Sequence, residues 1–294
     1  MTVTISASQV KELRERTGAG MMECKKALAA SGGDMERAIE ELRKAGVTKA
    51  GKKAGRIAAE GAVAILDNGK RAVMVEINSE TDFVARDNNF TAFVKAVAET
   101  ALNSAEEDVS RLSGLPLQGY GKSVEESRQE LVSKVGENVQ IRRIVLSQPS
   151  AVSTGTYLHG SRIGVIVELD TDNKDLARDV AMHIAASKPV VVSPDNVSKD
   201  IIEKEKEIYM AQAANSGKPQ DIIEKMVLGR LKKYLDEISL TGQPFVKDPD
   251  TTVGSLLNKH RAKVLAFYRY EVGEGIEKVT EDFKEAVMSQ VQGG

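Results

Sequence analysis

The feature that most constrains this fold is an internal repeat. Gly61–Leu66, the turn Asp67-Asn68-Gly69-Lys70 and Arg71–Ile77 read as a β-hairpin around an Asn-Gly turn, followed by a helix from about Asn89 to Leu102. The same order returns in Thr156–His159, a turn at Gly160-Ser161, Arg162–Leu169, and a helix carrying Leu176, Val180, Met182, His183 and Ile184. Each copy then acquires a later strand, Val139–Leu146 in the first and Lys263–Glu271 in the second. Hairpin, helix and returning strand, stated twice, predict an α+β fold whose core is two similar α+β subdomains.

The copies differ where strand passes into helix. That connection spans Asp170 to Asn173 in the second and is about twice as long in the first, where it contains Thr81-Asp82-Phe83-Val84. The second copy closes without those residues, so fold closure does not require them. Added length on a rigid scaffold is where function tends to sit. Phe83 has polar or acidic flanks in a chain with only 4% aromatic residues, which makes Asp82-Phe83 a candidate anchor for another molecule.

Residues 8 to 46 read as three short helices. Ser8 caps the first, which Thr17-Gly18-Ala19-Gly20 ends; a second runs from Met21 to about Ser31; Asp34 caps a third, whose Met35, Ala38, Ile39 and Leu42 keep the helical period until Gly46. In the second helix Met21, Cys24 and Leu28 form the core stripe, leaving Met22 partly exposed beside Lys25, Lys26 and Ala29. Adjacent methionines suit an irregular core as well as an adaptable binding surface. Val47 to Arg56, with Lys49, Lys52, Lys53 and Arg56 and no apolar period, reads as a basic linker. In the second half, Pro194 to Leu240 reads as an antiparallel helical hairpin. One helix carries Val197, Ile201, Ile208 and Ala211, the other Ile222, Met226, Leu231 and Leu235, with Asn215–Pro219 between them. Its faces suit solvent, or a partner or second copy. Gly275 to Val291 is expected to form a last helix.

Enzyme chemistry finds little support. Gly51-Lys52-Lys53-Ala54-Gly55 lacks phosphate-loop spacing and a preceding strand. Asp170–Asp175 begins like a calcium loop but has Lys174 at the fifth position, no Gly at the sixth and Ala181 at the twelfth. His159, His183 and His260 are too dispersed for a zinc site or a catalytic triad, and His183 reads as a satisfied core residue. The single cysteine, Cys24, allows no internal disulfide. With 41 basic against 43 acidic residues the net charge is -2, so no global field marks a nucleic-acid binder. No cofactor, metal or membrane contact is expected. The N-terminus lacks a signal-peptide pattern, which gives the cytoplasm as the expected compartment.

Three separated signatures in order carry a resemblance: Gln9–Leu28 with Thr17-Gly18-Ala19-Gly20-Met21-Met22 at its centre, Thr81-Asp82-Phe83-Val84-Ala85-Arg86, and Leu240-Thr241-Gly242-Gln243-Pro244-Phe245-Val246. Over essentially its whole length the chain resembles the bacterial elongation factor Ts family. The resemblance implies a ubiquitin-associated-like three-helix module with its linker (1–54), core subdomains at 55–152 and at 153–191 with 241–274, a coiled-coil hairpin (192–240) and a C-terminal helical module (275–294). It also implies a guanine nucleotide exchange factor for elongation factor Tu, with no bond-breaking chemistry. Asp82 and Phe83, within Thr81–Val84, would press into the GTPase domain and disturb its magnesium and phosphate region. Met21, Met22, Lys25, Lys53 and Val135 would support that contact, while His159, Val246 and Lys247 would face the partner's third domain. The hairpin could pair two heterodimers. Many relatives continue the central motif with Arg-Asn, where this chain has Arg86-Asp87-Asn88. A competing reading keeps only the N-terminal helices as a module for ubiquitin-like or ribosomal partners.

Overall fold

The computed structural model describes residues 5–214 and 219–277. Three helices open it: α1 (Ala7–Thr17), α2 (Met21–Ala30) and α3 (Met35–Lys53). They close over Leu13, Cys24, Ala27, Leu28 and Ala38. The cap of α1 is Ser6 rather than Ser8. Its hydroxyl accepts the Gln9 N–H while the Gln9 side chain accepts the Ser6 N–H, a reciprocal box that Ser8 has no matching partner to form. Gly18, at φ +66°, ends the helix.

Helix α3 does not stop at Gly46 but runs on through Lys53, so most of the expected basic linker is helical. The reason is tertiary. The extension lies along α7 (Val124–Val135), with Ala50 buried in the first core and Arg43 paired to Glu126 at 3.0 Å. Gly46 itself is buried against Ser133. Packing of this kind offsets the ~1 kcal/mol that each mid-helix glycine costs.

The first sheet has order β1 (Glu60–Asp67), β2 (Ala72–Ser79), β3 (Val139–Leu146), all antiparallel. Between β2 and β3 run α4 (Asp82–Ala85), α5 (Asn88–Ser104), α6 (Val109–Ser113) and α7. The hairpin turn is centred one residue later than an Asn-Gly turn would be. Gly69 takes φ +81°, and the Asn68 carbonyl oxygen of the side chain accepts the Lys70 and Arg71 N–H groups. Helices α5 and α7 cover one face of the sheet through Phe90, Phe93, Val97, Leu131 and Val132.

The second sheet repeats the pattern as β4 (Ser153–His159), β5 (Ile163–Leu169), β8 (Val264–Glu271). Helix α8 (Lys174–Ser187) covers it. Helices α9 (Lys199–Ala214) and α10 (Gln220–Ile238) follow, then a short pair β6 (Pro244–Phe245) and β7 (Asp248–Thr252), and α11 (Val253–Lys259). The likeness of the halves extends to their irregularities. The central strand of each sheet slips register immediately after a buried glutamate, at Glu76/Ile77 and at Glu168/Leu169.

The two sheets stack, with Val63, Met74 and Val145 of the first against Ile166 of the second. Gly164 permits the approach, since a Cβ there would lie 2.6 Å from Val63 and 2.7 Å from the Met74 sulfur. Strand β2 is therefore buried along its whole length, covered by helices on one face and by the other sheet on the other.

In the helical pair the seam differs from the expected stripe. Tyr209, Met210 and Ala213 meet Ile223 and Val227, while Ile201, Ile208 and Ile222 are exposed. Adjacent isoleucines at 201–202 and 222–223 leave the phase of the stripe open in sequence, and packing selects Ile223. The expected final helix and most of the turn at 215–219 lie outside the described residues. Among the described residues, no helix is long and apolar enough to cross a membrane.

Candidate functional site

The longer strand-to-helix connection is not an irregular loop: its middle is the one-turn helix α4. The Thr81 hydroxyl caps it by accepting the Val84 N–H at 3.3 Å. Val84 points inward and is buried in the first core, which fixes the turn to the sheet. One position earlier, Phe83 points outward and is 82% exposed, the highest exposure among the large apolar side chains described. Asp82 is held across the turn by exposed Arg86, Nη2 to Oδ2 2.9 Å.

Asp87 caps the next helix, α5. Its carboxylate accepts the N–H groups of Asn89 at 2.8 Å and Phe90 at 3.3 Å. The Asn89 side-chain amide, with those backbone donors and nearby Lys134, outweighs partial burial and holds the Asp87 carboxyl below its usual range.

The base of α4 is gripped by the loop after α7. Glu137 accepts both the backbone N–H and the hydroxyl of Thr81, at 3.0 and 2.7 Å. Glu80 in turn accepts the Asn138 N–H at 2.6 Å. Lys53, at the end of α3, donates to the Gly136 carbonyl, and the Asn138 side chain donates to the carbonyls of Arg56 and Ala54. Val135 is half-buried, packed on the first core. Three segments distant in sequence thus meet beneath Phe83. Glu80, Glu137 and Asn138 are the part that sequence reasoning missed, and the turn after Gly136 was the available signal.

Met21 is 61% exposed and Met22 64%. The core stripe of α2 is Cys24, Ala27 and Leu28, so Met21 does not belong to it as expected. It is the first residue after the Gly20 cap, and two adjacent methionines and Lys25 lie on the surface. Their approach turn rests on the same base, because Gly18 lies against the Lys134 side chain, whose Nζ donates to Asn89 at 2.6 Å.

His159 is exposed at the tip of the β4–β5 hairpin, its ring stacked with Tyr157 at 6.4 Å between centroids. That tip is joined to the first half by the Arg162–Glu60 pair at 2.7 Å, and Glu60 is paired with Ser79, just before Thr81. Val246 and Lys247 are exposed at the β6–β7 turn and anchored on α8. The Val246 N–H donates to His183 Nδ1 at 3.2 Å, and Lys247 pairs with Asp179 at 2.6 Å. With Nδ1 accepting, the buried His183 carries its proton on Nε2 and donates to Gln243 at 3.0 Å. Burial keeps it neutral by pushing its pKa down, against the opposing Gln243 bond.

A sequence model of the family described as Elongation factor TS matches residues 80–274. Elongation factor Ts of Thioalkalivibrio sulfidiphilus (strain HL-EbGR7) is 61% identical over 294 residues, covering 99% of this chain and 100% of that protein. Elongation factor Ts of Legionella pneumophila subsp. pneumophila (strain Philadelphia 1) is 57% identical over 291 residues, 98% of this chain and 99% of that one. The protein of the same name from Coxiella burnetii (strain Dugway 5J108-111) is 53% identical over 293 residues, 99% of each.

Proposed function

The chain belongs to the elongation factor Ts family, and from that premise we propose that it is a guanine nucleotide exchange factor for the GTPase elongation factor Tu. It binds the GDP-loaded partner, presses Asp82 and Phe83 into the GTPase domain near the magnesium and phosphate site, and promotes release of GDP so that GTP can bind. The observation that carries this reading is Phe83, a large aromatic 82% exposed on a one-turn helix that is itself capped and anchored. A backbone turn already fixed before binding leaves only the side chain's own freedom to be lost when a partner covers the ring.

The chemistry asked of such a factor is linkage rather than bond breaking. It must bind the empty GTPase better than the loaded one, and the two ligands then weaken each other equally. Swinging that equilibrium from ~1:99 to ~99:1 takes ~5.5 kcal/mol, whereas burying one Phe yields only ~1.5–3 kcal/mol. Phe83 therefore works as the wedge of a wider grip. Met21, Met22, Lys25, Lys53 and Val135 belong to that grip around the wedge, and His159, Val246 and Lys247 to a second contact farther along the partner.

Replacement Phe83→Ala is expected to slow release of a fluorescent GDP from elongation factor Tu strongly while leaving the melting curve of the free factor unchanged. Release at the wild-type rate would sink the assignment. The competing reading, a module that binds ubiquitin-like or ribosomal partners through the N-terminal helices, is separated by deleting residues 1–54 and measuring whether partner binding survives.

A further inference from the structure

Helix α4 is too short to hold its own direction, since a single turn fixes several dihedrals for very few internal bonds. Its direction comes from outside. The Thr81 hydroxyl that caps it is a donor to Glu137 as well as an acceptor for Val84, and the Thr81 backbone N–H is bonded to the second oxygen of the same carboxylate. Glu80 returns the favour by accepting the Asn138 N–H, so the two segments exchange hydrogen bonds in both directions. Charge-assisted bonds of this kind are short and directional. The far side of the 136–138 loop is tied to the N-terminal helices through Lys53 on the Gly136 carbonyl and Asn138 on the Arg56 carbonyl.

From this geometry we infer that Glu137 is a positioning residue for nucleotide exchange: through Thr81 it sets the direction in which Phe83 leaves the surface, and through its loop it couples that direction to α3. The inference rests on the exchange reading given above. Lys53 takes on a second meaning, as a strut beneath the wedge. Without the carboxylate, α4 keeps the buried Val84 but loses the two bonds that orient its cap. The Phe83 ring then samples several directions, and only the fraction aimed at the pocket engages.

The test uses the full chain and release of a fluorescent GDP from elongation factor Tu at saturating factor. Glu137→Ala is expected to lower the saturating release rate about tenfold, short of the ~100-fold that a 1 Å misplacement can cost a preorganised site. Glu137→Gln, which keeps one acceptor oxygen, falls between. The decisive readout is the double variant: added to Phe83→Ala, Glu137→Ala should slow release no further, because there is no ring left to aim. A wild-type rate for Glu137→Ala, or a double variant slowed by the full product of the single effects, overturns the inference. A wild-type rate for Phe83→Ala instead removes the exchange reading and this inference with it. If circular dichroism shows that Glu137→Ala does not fold, Glu137→Gln carries the same comparison.

Discussion

Glu76 and Glu168 occupy the same place in the repeat, buried on a central strand just before its bulge, yet substitution of the two should have opposite signs. Glu76 is fully buried and accepts from Arg142 Nη1 at 3.0 Å, Arg143 Nε at 2.5 Å, Asn78 Nδ2 at 3.1 Å and the Gly273 N–H at 2.9 Å. Burial alone would raise its pKa, but the Gly273 N–H, Arg143 and Asn78 overcome that and hold it below the ordinary 4.5. Glu168 accepts the Gln148 N–H at 2.7 Å, and burial, opposed by that bond, pushes its carboxyl up. Glu76→Gln keeps the shape but turns amide hydrogens toward guanidinium donors. Breaking a buried pair costs ~3–5 kcal/mol. Arg142 and Arg143 retain some solvent, and Arg143 also lies 4.0 Å from the centre of the Tyr270 ring, so about 2–4 kcal/mol is expected. Glu168→Gln keeps the Gln148 bond and removes the cost of a buried charge, so at pH 7 it should be neutral or stabilising by up to about 1 kcal/mol. The pH dependence follows the same signs. A lowered folded pKa gives Glu76 a stabilisation present above 4.5 that is lost as pH falls through the folded value, so the cost of Glu76→Gln shrinks in acid. A raised folded pKa makes ionised Glu168 costly above that value, so the benefit of Glu168→Gln disappears as pH falls below it. Urea unfolding followed by circular dichroism at pH 7 and pH 4 reads both. Equal losses at pH 7, or a larger loss for Glu168→Gln, would refute the reasoning.

Two further outcomes are expected. Asp87→Ala removes the cap of α5 and should lower stability by about 1 kcal/mol in denaturant unfolding, whereas Asp87→Asn, which keeps a capping oxygen, should lose less than half of that. Ala50→Asp places a charge in the first core at the end of α3 and should loosen the α3–α7 contact. Limited proteolysis is then expected to cut near residues 47–56 in the variant and not in the parent, and identical digestion patterns would argue against a docked N-terminal module.

The α+β class was legible because its signals are local: short apolar strand runs, turn residues and two helical stripes recur in the same order. The exposure of Phe83 was legible for a related reason, since one copy of the repeat shows what the other has added. What stayed hidden depends on contacts distant in sequence. Val47–Lys53 has Gly51 within it, follows Gly46 and shows no apolar period, and only packing on α7 makes it helical. Helix α7 itself follows a stretch rich in Gly and Pro that masks its start, although the Ser123–Glu126 capping box marks it. Met21 shares the spacing of Cys24 and Leu28, and its exposure follows from where the helix begins rather than from its period. Glu137 is one more acidic residue after a helix until the fold sets it against Thr81.

The two halves also explain each other's departures. In the second, β5 passes to α8 through Asp170–Asn173, with Asn173 capping the helix by accepting the Leu176 N–H at 3.0 Å. In the first, the same passage must cap two helices in succession, so it uses Thr81 for α4 and Asp87 for α5. A one-turn helix inserted there needs an external brace, and the brace is supplied by the 136–138 loop, which follows the long α5–α7 excursion that distinguishes the first half. The buried glutamates follow the same division. Glu76 accepts the Gly273 N–H and holds Arg142 and Arg143, which donate to the Glu274 and Glu271 carbonyls, so the sheet that carries Phe83 is locked onto the other half. Glu168, at the matching position, has no such task and keeps a costly carboxyl. Force applied at Phe83 is therefore met by a base anchored through α3, α7 and β8 at once, which is what a side chain must have if it is to displace atoms in a partner rather than be displaced by them.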